Sequence, residues 1–245
     1  METLAQLDLS AQRWVNHFAH HSVVFDRFVE AWLSLNFLSG GFFFLFIWWM
    51  WFREAGDPET NRTDSIRILL AVWGAIIVAR ALQIGLPHRV RPINDPAISF
   101  VMPYGGINDV AEHFSSFPSD HAVVYFALAT AIAIRYRWLG LVCALWTLMF
   151  ACLSRVYAGY HYPGDVLAGA ITGILFMCLA EKALSPHVMR WIVAKIFRWE
   201  RRHPASMYCV AVAVTYECMD LFEDIRIVGR FVAKMVLGHD TGLFS

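Results

Sequence analysis

The chain has 245 residues, 20 Lys and Arg against 20 Asp and Glu, and a formal net charge of zero. Hydrophobic residues make up 58% and charged residues 16%, the reverse of a disordered chain and without the basic excess of a nucleic-acid binder. A soluble domain of this length needs more polar surface than that, so the composition points to an integral membrane protein.

Residues 1–13 lack the basic start and apolar run of a signal peptide. Trp14, Phe18, Phe25, Phe28 and Trp32 then fall among charges, so 1–32 reads as an interfacial N-terminal helical segment. Residues 33–52 form an uncharged run of 20 that ends in an aromatic cluster, about what a hydrocarbon core requires. A second run, 68–86, holds one charge, Arg80, whose place inside a span means that it faces a pocket or a polar partner. Three shorter runs follow at 122–134, 138–153 and 166–180. Two of them extend through the polar residues just before them, which puts those residues at the membrane's edge.

Five spans place the first and third connections, and the residues after Glu181, on one side. Up to Arg202 that side carries eleven basic residues against five on the other, which assigns it to the cytoplasm. Residues 182–245 form a basic cytoplasmic-side segment with C-terminal helices. Within it, 205–222 is apolar enough for a sixth span but contains Glu217 and Asp220, and reads better as a surface or bundle-packed helix. The expected fold is all-α: a polytopic transmembrane helix bundle of five to six spans, with its core at 33–181, plus interfacial amphipathic helices.

The five cysteines, Cys143, Cys152, Cys178, Cys209 and Cys218, lie in apolar stretches without the paired spacing of a zinc or redox motif. His17, His20 and His21 have no acidic or cysteine partner at ligand spacing, and read as interfacial polar residues. No metal or other cofactor is expected.

Chemistry gathers in the two outward connections. Antiparallel spans bring their ends together, so Arg91, His121, Arg155, His161 and Asp165 can converge at one outer pocket. Arginine's planar fork suits phosphate oxygens, and two histidines can divide the roles of nucleophile and general acid. His161 and Asp165 are four apart, so on a helix a carboxylate would lie beside the imidazole and fix its tautomer. Ser119 adds a hydroxyl at a helix start. The stretch 97–102 in the first connection is apolar enough to dip into the headgroup layer and guide a lipid.

These residues resemble the type 2 phosphatidic acid phosphatases, or lipid phosphate phosphatases, whose scaffold is shared with vanadium haloperoxidases. That family's signature is K-x6-R-P, then P-S-G-H, then S-R-x5-H-x3-D. Ser154, Arg155, His161 and Asp165 match the third part in full. Pro118-Ser119-Asp120-His121 matches the second except that Asp120 stands for Gly, and Arg91-Pro92 ends a first part whose Lys position is Ile84. The resemblance spans about residues 80 to 170.

The resemblance implies a metal-independent hydrolase of lipid phosphates. His161 attacks phosphorus and forms a phosphohistidine, with Asp165 orienting it. His121 protonates the leaving group and then activates water, while Arg91, Arg155 and Ser119 hold the phosphoryl oxygens. Arg89 is the candidate substitute for the absent Lys, against an alternative as a headgroup contact. Asp120 either points away or tunes His121. The substrate classes implied are polyprenyl diphosphates such as undecaprenyl diphosphate, phosphatidate and phosphatidylglycerol phosphate. The setting implied is a bacterial plasma membrane with the site facing the periplasm or exterior. A phosphotransferase that passes the phosphoryl group to a lipid or sugar hydroxyl shares every catalytic residue. A non-catalytic transporter or lipid-binding protein fits less well, since the charges gather at one face and no repeated halves are evident.

Overall fold

A computed structural model describes residues 2–106 and 115–221. Among these the chain is all-helical, with no strand. It divides into two compact units interleaved in sequence, 1–43 with 74–178 and 44–73 with 179–245. The long helices α5 (Pro58–Gly85) and α9 (Pro163–Ala183) contribute residues to both.

The first unit begins with α1 (Glu2–Asn16) and α2 (Val23–Leu33). Ser22 starts α2 by accepting the Phe25 N–H at 3.3 Å, a side-chain cap on an otherwise orphan donor. The uncharged run 33–52 is not one helix. It splits into α3 (Asn36–Ser39), a 3-10 turn (Gly41–Phe43) and α4 (Phe44–Phe52). At the break a Cβ on Gly40 would lie 2.7 Å from the Tyr125 ring, so close packing, rather than hydropathy, decides the backbone there.

At the centre of this unit stands α6 (Asp120–Arg135). Val123, Val124, Tyr125, Ala127, Leu128 and Ala131 are fully buried, and they cover more than half of the helix surface, leaving Phe126, Thr130 and Ala133 partly exposed on the remaining face. Val123 and Ala127 meet α9 so closely that a Cβ at Gly173 has no room. The next helix turns back at once as α7 (Arg137–Trp146), passes through a π-helical segment (Thr147–Cys152) and ends in α8 (Leu153–Tyr157). Widening the turn at a π segment rotates the residues after it relative to those before it, and such segments recur at functional sites. Here it sits directly before Ser154 and Arg155.

In the second unit, Trp51, Ile66, Met189, Val193 and Met207 form a buried apolar cluster. It draws on α4, α5, α10 (Pro186–Arg202) and α11 (Pro204–Met219). Tyr208 accepts from the Trp51 indole at 3.1 Å and donates to Glu200 at 2.7 Å, and Arg62 pairs with Glu200 at 3.3 Å.

Three helical stretches, Pro58–Gly85, Arg137–Tyr157 and Pro163–Ala183, are long and apolar enough to cross a membrane. Their outer faces carry exposed Trp73, Ile77, Leu141, Leu145, Leu167 and Ile171, the pattern expected where the solvent is lipid. The chain is an integral membrane protein. The run at 122–134 lies in the 16-residue α6, and 205–219 lies in the 16-residue α11. Residue 222, the last of the proposed sixth stretch, and the rest of the C-terminus are outside the described residues.

The apolar stretch 97–102 is tied down rather than free to dip into lipid. Arg13 donates to the Ala97 carbonyl at 2.7 Å, and Asn16 bonds both the N–H and the carbonyl of Val101 at 2.9 and 2.7 Å. The backbone polar groups of this stretch need partners, and α1 supplies them.

Candidate active site

Two turns of the first unit bring the polar residues together. One leads into α6. Ser119 is its N-cap, 1% exposed, and its N–H donates to the Asp165 carbonyl at 3.2 Å while its side chain makes no capping bond. Asp120 follows in the first helical turn. Its Oδ1 accepts the His121 N–H at 2.8 Å and His121 Nδ1 at 2.9 Å, and its Oδ2 takes Arg80 Nη2 at 2.9 Å. An ionised carboxylate only accepts, so the ring proton sits on Nδ1 and the free nitrogen of His121 is Nε2.

The other turn joins α8 to α9. Arg155, 4% exposed, donates to the Ala151 carbonyl at 2.9 Å. Gly159 reverses the chain at φ +77°, and a Cβ there would lie 2.6 Å from the Phe100 ring. Only glycine fits such a position. His161 is 3% exposed, and its Nδ1 donates to the Ser116 carbonyl at 2.7 Å. Nε2 is again the free nitrogen.

Asp165 is not the residue that orients His161. The histidine lies two residues ahead of the helix, so four-residue helical spacing does not bring the two side chains together. Asp165 Oδ2 instead reaches back to the Tyr162 N–H at 2.8 Å, as the third residue of a helix does in a capping box. Its Oδ1 takes Arg89 Nη1 at 2.5 Å. The second Arg89 Nη binds Asp8 at 2.5 Å, the other Asp8 oxygen accepts the Gly164 N–H at 2.7 Å, and the Arg89 guanidinium lies 3.9 Å over the Tyr162 ring. Arg89, the expected substitute phosphate ligand, is thus committed to two carboxylates and a ring. It holds the turn that carries His161.

Arg80 is the cation that approaches the site from α5. Beside its bond to Asp120 it donates to Gln83 Oε1 at 2.7 Å, and Gln83 Nε2 donates to the Pro118 carbonyl at 3.0 Å. Ile84, the position of the family's Lys, is 79% exposed. His88 is exposed too, and His113 is outside the described residues.

The remaining charges act on one another directly. Burial lowers the pKa of Arg91, with Asp120, Tyr160 and Asp165 working upward and Arg80 downward. Burial and then Arg91 push His161 down to about 3, against the opposing pull of Asp120 and the Ser116 carbonyl. His161 is therefore neutral at physiological pH, with a lone pair on Nε2. Burial and then Arg155 push His121 down to about 4, against the upward pull of Asp120 and its hydrogen bond and with Arg80 also acting downward, so Arg91, His121, Arg155 and His161 share one largely enclosed region.

Sequence reasoning missed Asp8, Gln83 and the Ser116 carbonyl. An Asp in an amphipathic first helix and a backbone oxygen carry no sequence signal. Arg80 did carry one, because a charge inside an apolar run is costly.

Residues 86–188 match the family model described as PAP2 superfamily. That segment contains His121, His161, Arg91, Arg155 and Asp165. The chain is 28% identical over 154 residues to the putative undecaprenyl-diphosphatase YbjG of Escherichia coli K12, covering 62% of this chain and 70% of that one. It is 41% identical over 75 residues to the bacitracin transport permease protein BcrC of Bacillus licheniformis, covering 28% of this chain and 34% of the permease, so the match spans about a third of that protein's length. A solved transmembrane PAP2-type phosphatidylglycerolphosphate phosphatase from Bacillus subtilis aligns with a TM-score of 0.46 at 19% identity, over 74% of this chain and 86% of that one.

Proposed function

We propose that this protein is a membrane-embedded lipid phosphatase that works through a phosphohistidine and acts on a polyprenyl diphosphate. The observation that carries the reading is the pairing of buried His161 and partly buried His121, each donating through Nδ1, with partly buried Arg91 and buried Arg155. His161 Nε2 attacks phosphorus, and the bond to the leaving oxygen breaks as His121, entering this step as the imidazolium, delivers its Nε2 proton. The same His121 nitrogen then takes a proton from the water that cleaves the phosphorus–nitrogen bond and frees phosphate. Arg91, Arg155 and Ser119 hold the phosphoryl oxygens as charge builds up. Fixed cations in a site of low dielectric are suited to that task.

Asp165 contributes through Arg89 and the Tyr162 N–H, which together set the turn bearing His161. An apolar groove of about 580 Å³, lined by Trp14, Phe18, Phe28, Trp32, Phe150 and Leu153 and bounded by Ser154, supports a substrate with a long hydrocarbon chain. The name of the relative YbjG favours a polyprenyl diphosphate over phosphatidate or phosphatidylglycerol phosphate. The distribution of basic residues supports a site at the exterior face of a bacterial plasma membrane.

The test is phosphate release in detergent across undecaprenyl diphosphate, phosphatidate and phosphatidylglycerol phosphate. The wild type is expected to release phosphate fastest from the diphosphate and to keep its rate with chelator present. His161→Ala is expected to release none. Full turnover by that variant overturns the mechanism, and a phosphorylated acceptor in place of free phosphate would make the protein a phosphotransferase.

A further inference from the structure

The proposed mechanism asks the two histidines for different things. His161 must stay neutral to attack, whereas His121 must carry a proton to the leaving group and then accept one from water. His121 therefore needs a support that fixes its ring and tolerates a positive charge.

The side chains around His121 provide one. Asp120 Oδ1 accepts both the backbone N–H and Nδ1 of His121, at 2.8 and 2.9 Å. Asp120 could rotate away from that geometry, but its other oxygen is held by Arg80 Nη2 at 2.9 Å. Arg80 Nη1 donates to Gln83 Oε1 at 2.7 Å, and Gln83 Nε2 donates to the Pro118 carbonyl at 3.0 Å. Arg80 and Gln83 are three apart on α5, hence on one face. One turn of that helix thus grips both ends of the segment 118–120, immediately before His121. The other charged and aromatic groups facing His121 are Arg155 from α8, His161 from the turn before α9, and the Tyr125 ring at 6.0 Å. The Nδ1 hydrogen bond goes to Asp120, so the tautomer rests on that carboxylate.

We infer that Arg80, Gln83 and Asp120 form a positioning strap, anchored on α5, that locks His121 as its Nδ1–H tautomer, so that Nε2 serves as the proton donor and acceptor of the reaction. The strap rests on the proposed phosphatase reading. It makes Arg80 and Asp120 positioning residues, which act through His121 and do not themselves hold phosphate. It also gives the Asp at the family's Gly position a task and a partner, since a carboxylate there needs a cation and α5 brings one.

Two readouts test it in the full-length protein in detergent. The first needs no substrate: 15N spectra of histidine-labelled protein, with the His121 signal assigned by its loss in His121→Gln. The wild type is expected to show the Nδ1–H form, and Asp120→Asn a mixture, because an amide can accept from or donate to Nδ1. An Nε2–H wild type overturns the strap whatever the enzyme's substrate proves to be. The second readout is kinetic. Asp120→Asn and Arg80→Gln are expected to lower kcat about tenfold with KM changed less than about twofold. The basic limb of the kcat profile should move to lower pH by about one unit in Asp120→Asn, since removing a neighbouring carboxylate disfavours the imidazolium. Arg80→Lys, which keeps the charge, is expected to restore most of the rate. A raised KM with an unmoved pH profile overturns the proposal and makes the pair phosphate ligands. A wild type that shows the Nδ1–H tautomer but releases phosphate from no lipid leaves the strap's geometry standing and sinks the phosphatase reading instead.

Discussion

The two histidine corners of the first unit use the same ring nitrogen and different acceptors. His161 gives its Nδ1 proton to a backbone carbonyl, that of Ser116, whereas His121 gives it to the Asp120 carboxylate. A carbonyl fixes a tautomer without adding charge, so burial and Arg91 prevail and the His161 imidazole stays neutral. A carboxylate fixes the same tautomer and pulls toward the protonated ring, although burial and Arg155 still hold His121 down at about 4. In the proposed mechanism that difference in acceptor suits His161 to attack and His121 to proton transfer.

Removing each histidine in turn should separate the corners most sharply. His161→Ala is expected to abolish both phosphate release and any acid-labile phosphoprotein. His121→Ala should retain a rate lower by a factor on the order of 10²–10⁴, the usual worth of a positioned acid–base group. Phosphate release followed over a long time course, together with acid-lability of trapped label, checks both. Equal losses in the two variants would erase the distinction.

A smaller effect is expected on the scaffold of the His161 corner. Arg89→Ala leaves Asp165, whose side chain is fully buried, and Asp8 without their shared cation. An uncompensated buried charge costs about 3 kcal/mol or more. A lowered midpoint of thermal unfolding is therefore expected, with KM for lipid phosphate little changed because Arg89 does not hold the substrate. Adding Asp165→Asn to Arg89→Ala should recover part of the loss, and a raised KM with unchanged stability would return Arg89 to the role of phosphate ligand.

The least severe change touches both corners through the packing of α9 on α6. A Cβ at Gly169 would stand 2.6 Å from the Ser119 carbonyl and 2.9 Å from the Ala122 Cβ. Gly169→Ala should cost about 1–3 kcal/mol from overpacking, read as a lower unfolding midpoint, and should slow phosphate release by displacing Ser119. Unchanged stability and rate would mean that the helices separate at little cost.

Much of this was legible from the sequence because membrane solvation and phosphate chemistry both leave local signals. The apolar runs at 68–86, 138–153 and 166–180 lie within or along the three long helices, since a backbone in lipid must satisfy its own hydrogen bonds. The motif spacing around Arg91, His121, Arg155 and His161 anticipated that these residues meet. Two expectations failed for one reason, which is that both treated a neighbour in sequence as a neighbour in space. His161 stands outside the helix whose first turn holds Asp165, and Arg89 turns toward Asp8, 81 residues earlier.

The sequence by itself determined a membrane-embedded helical protein and a candidate set of histidines and arginines, because composition, periodicity and motif spacing are properties of short segments. Only the tertiary structure decided which acceptor each histidine meets, where Arg80 and Arg89 are spent, and that Asp8 belongs to the site. Those outcomes depend on hydrogen bonds between residues tens of positions apart, whose geometry no local pattern encodes.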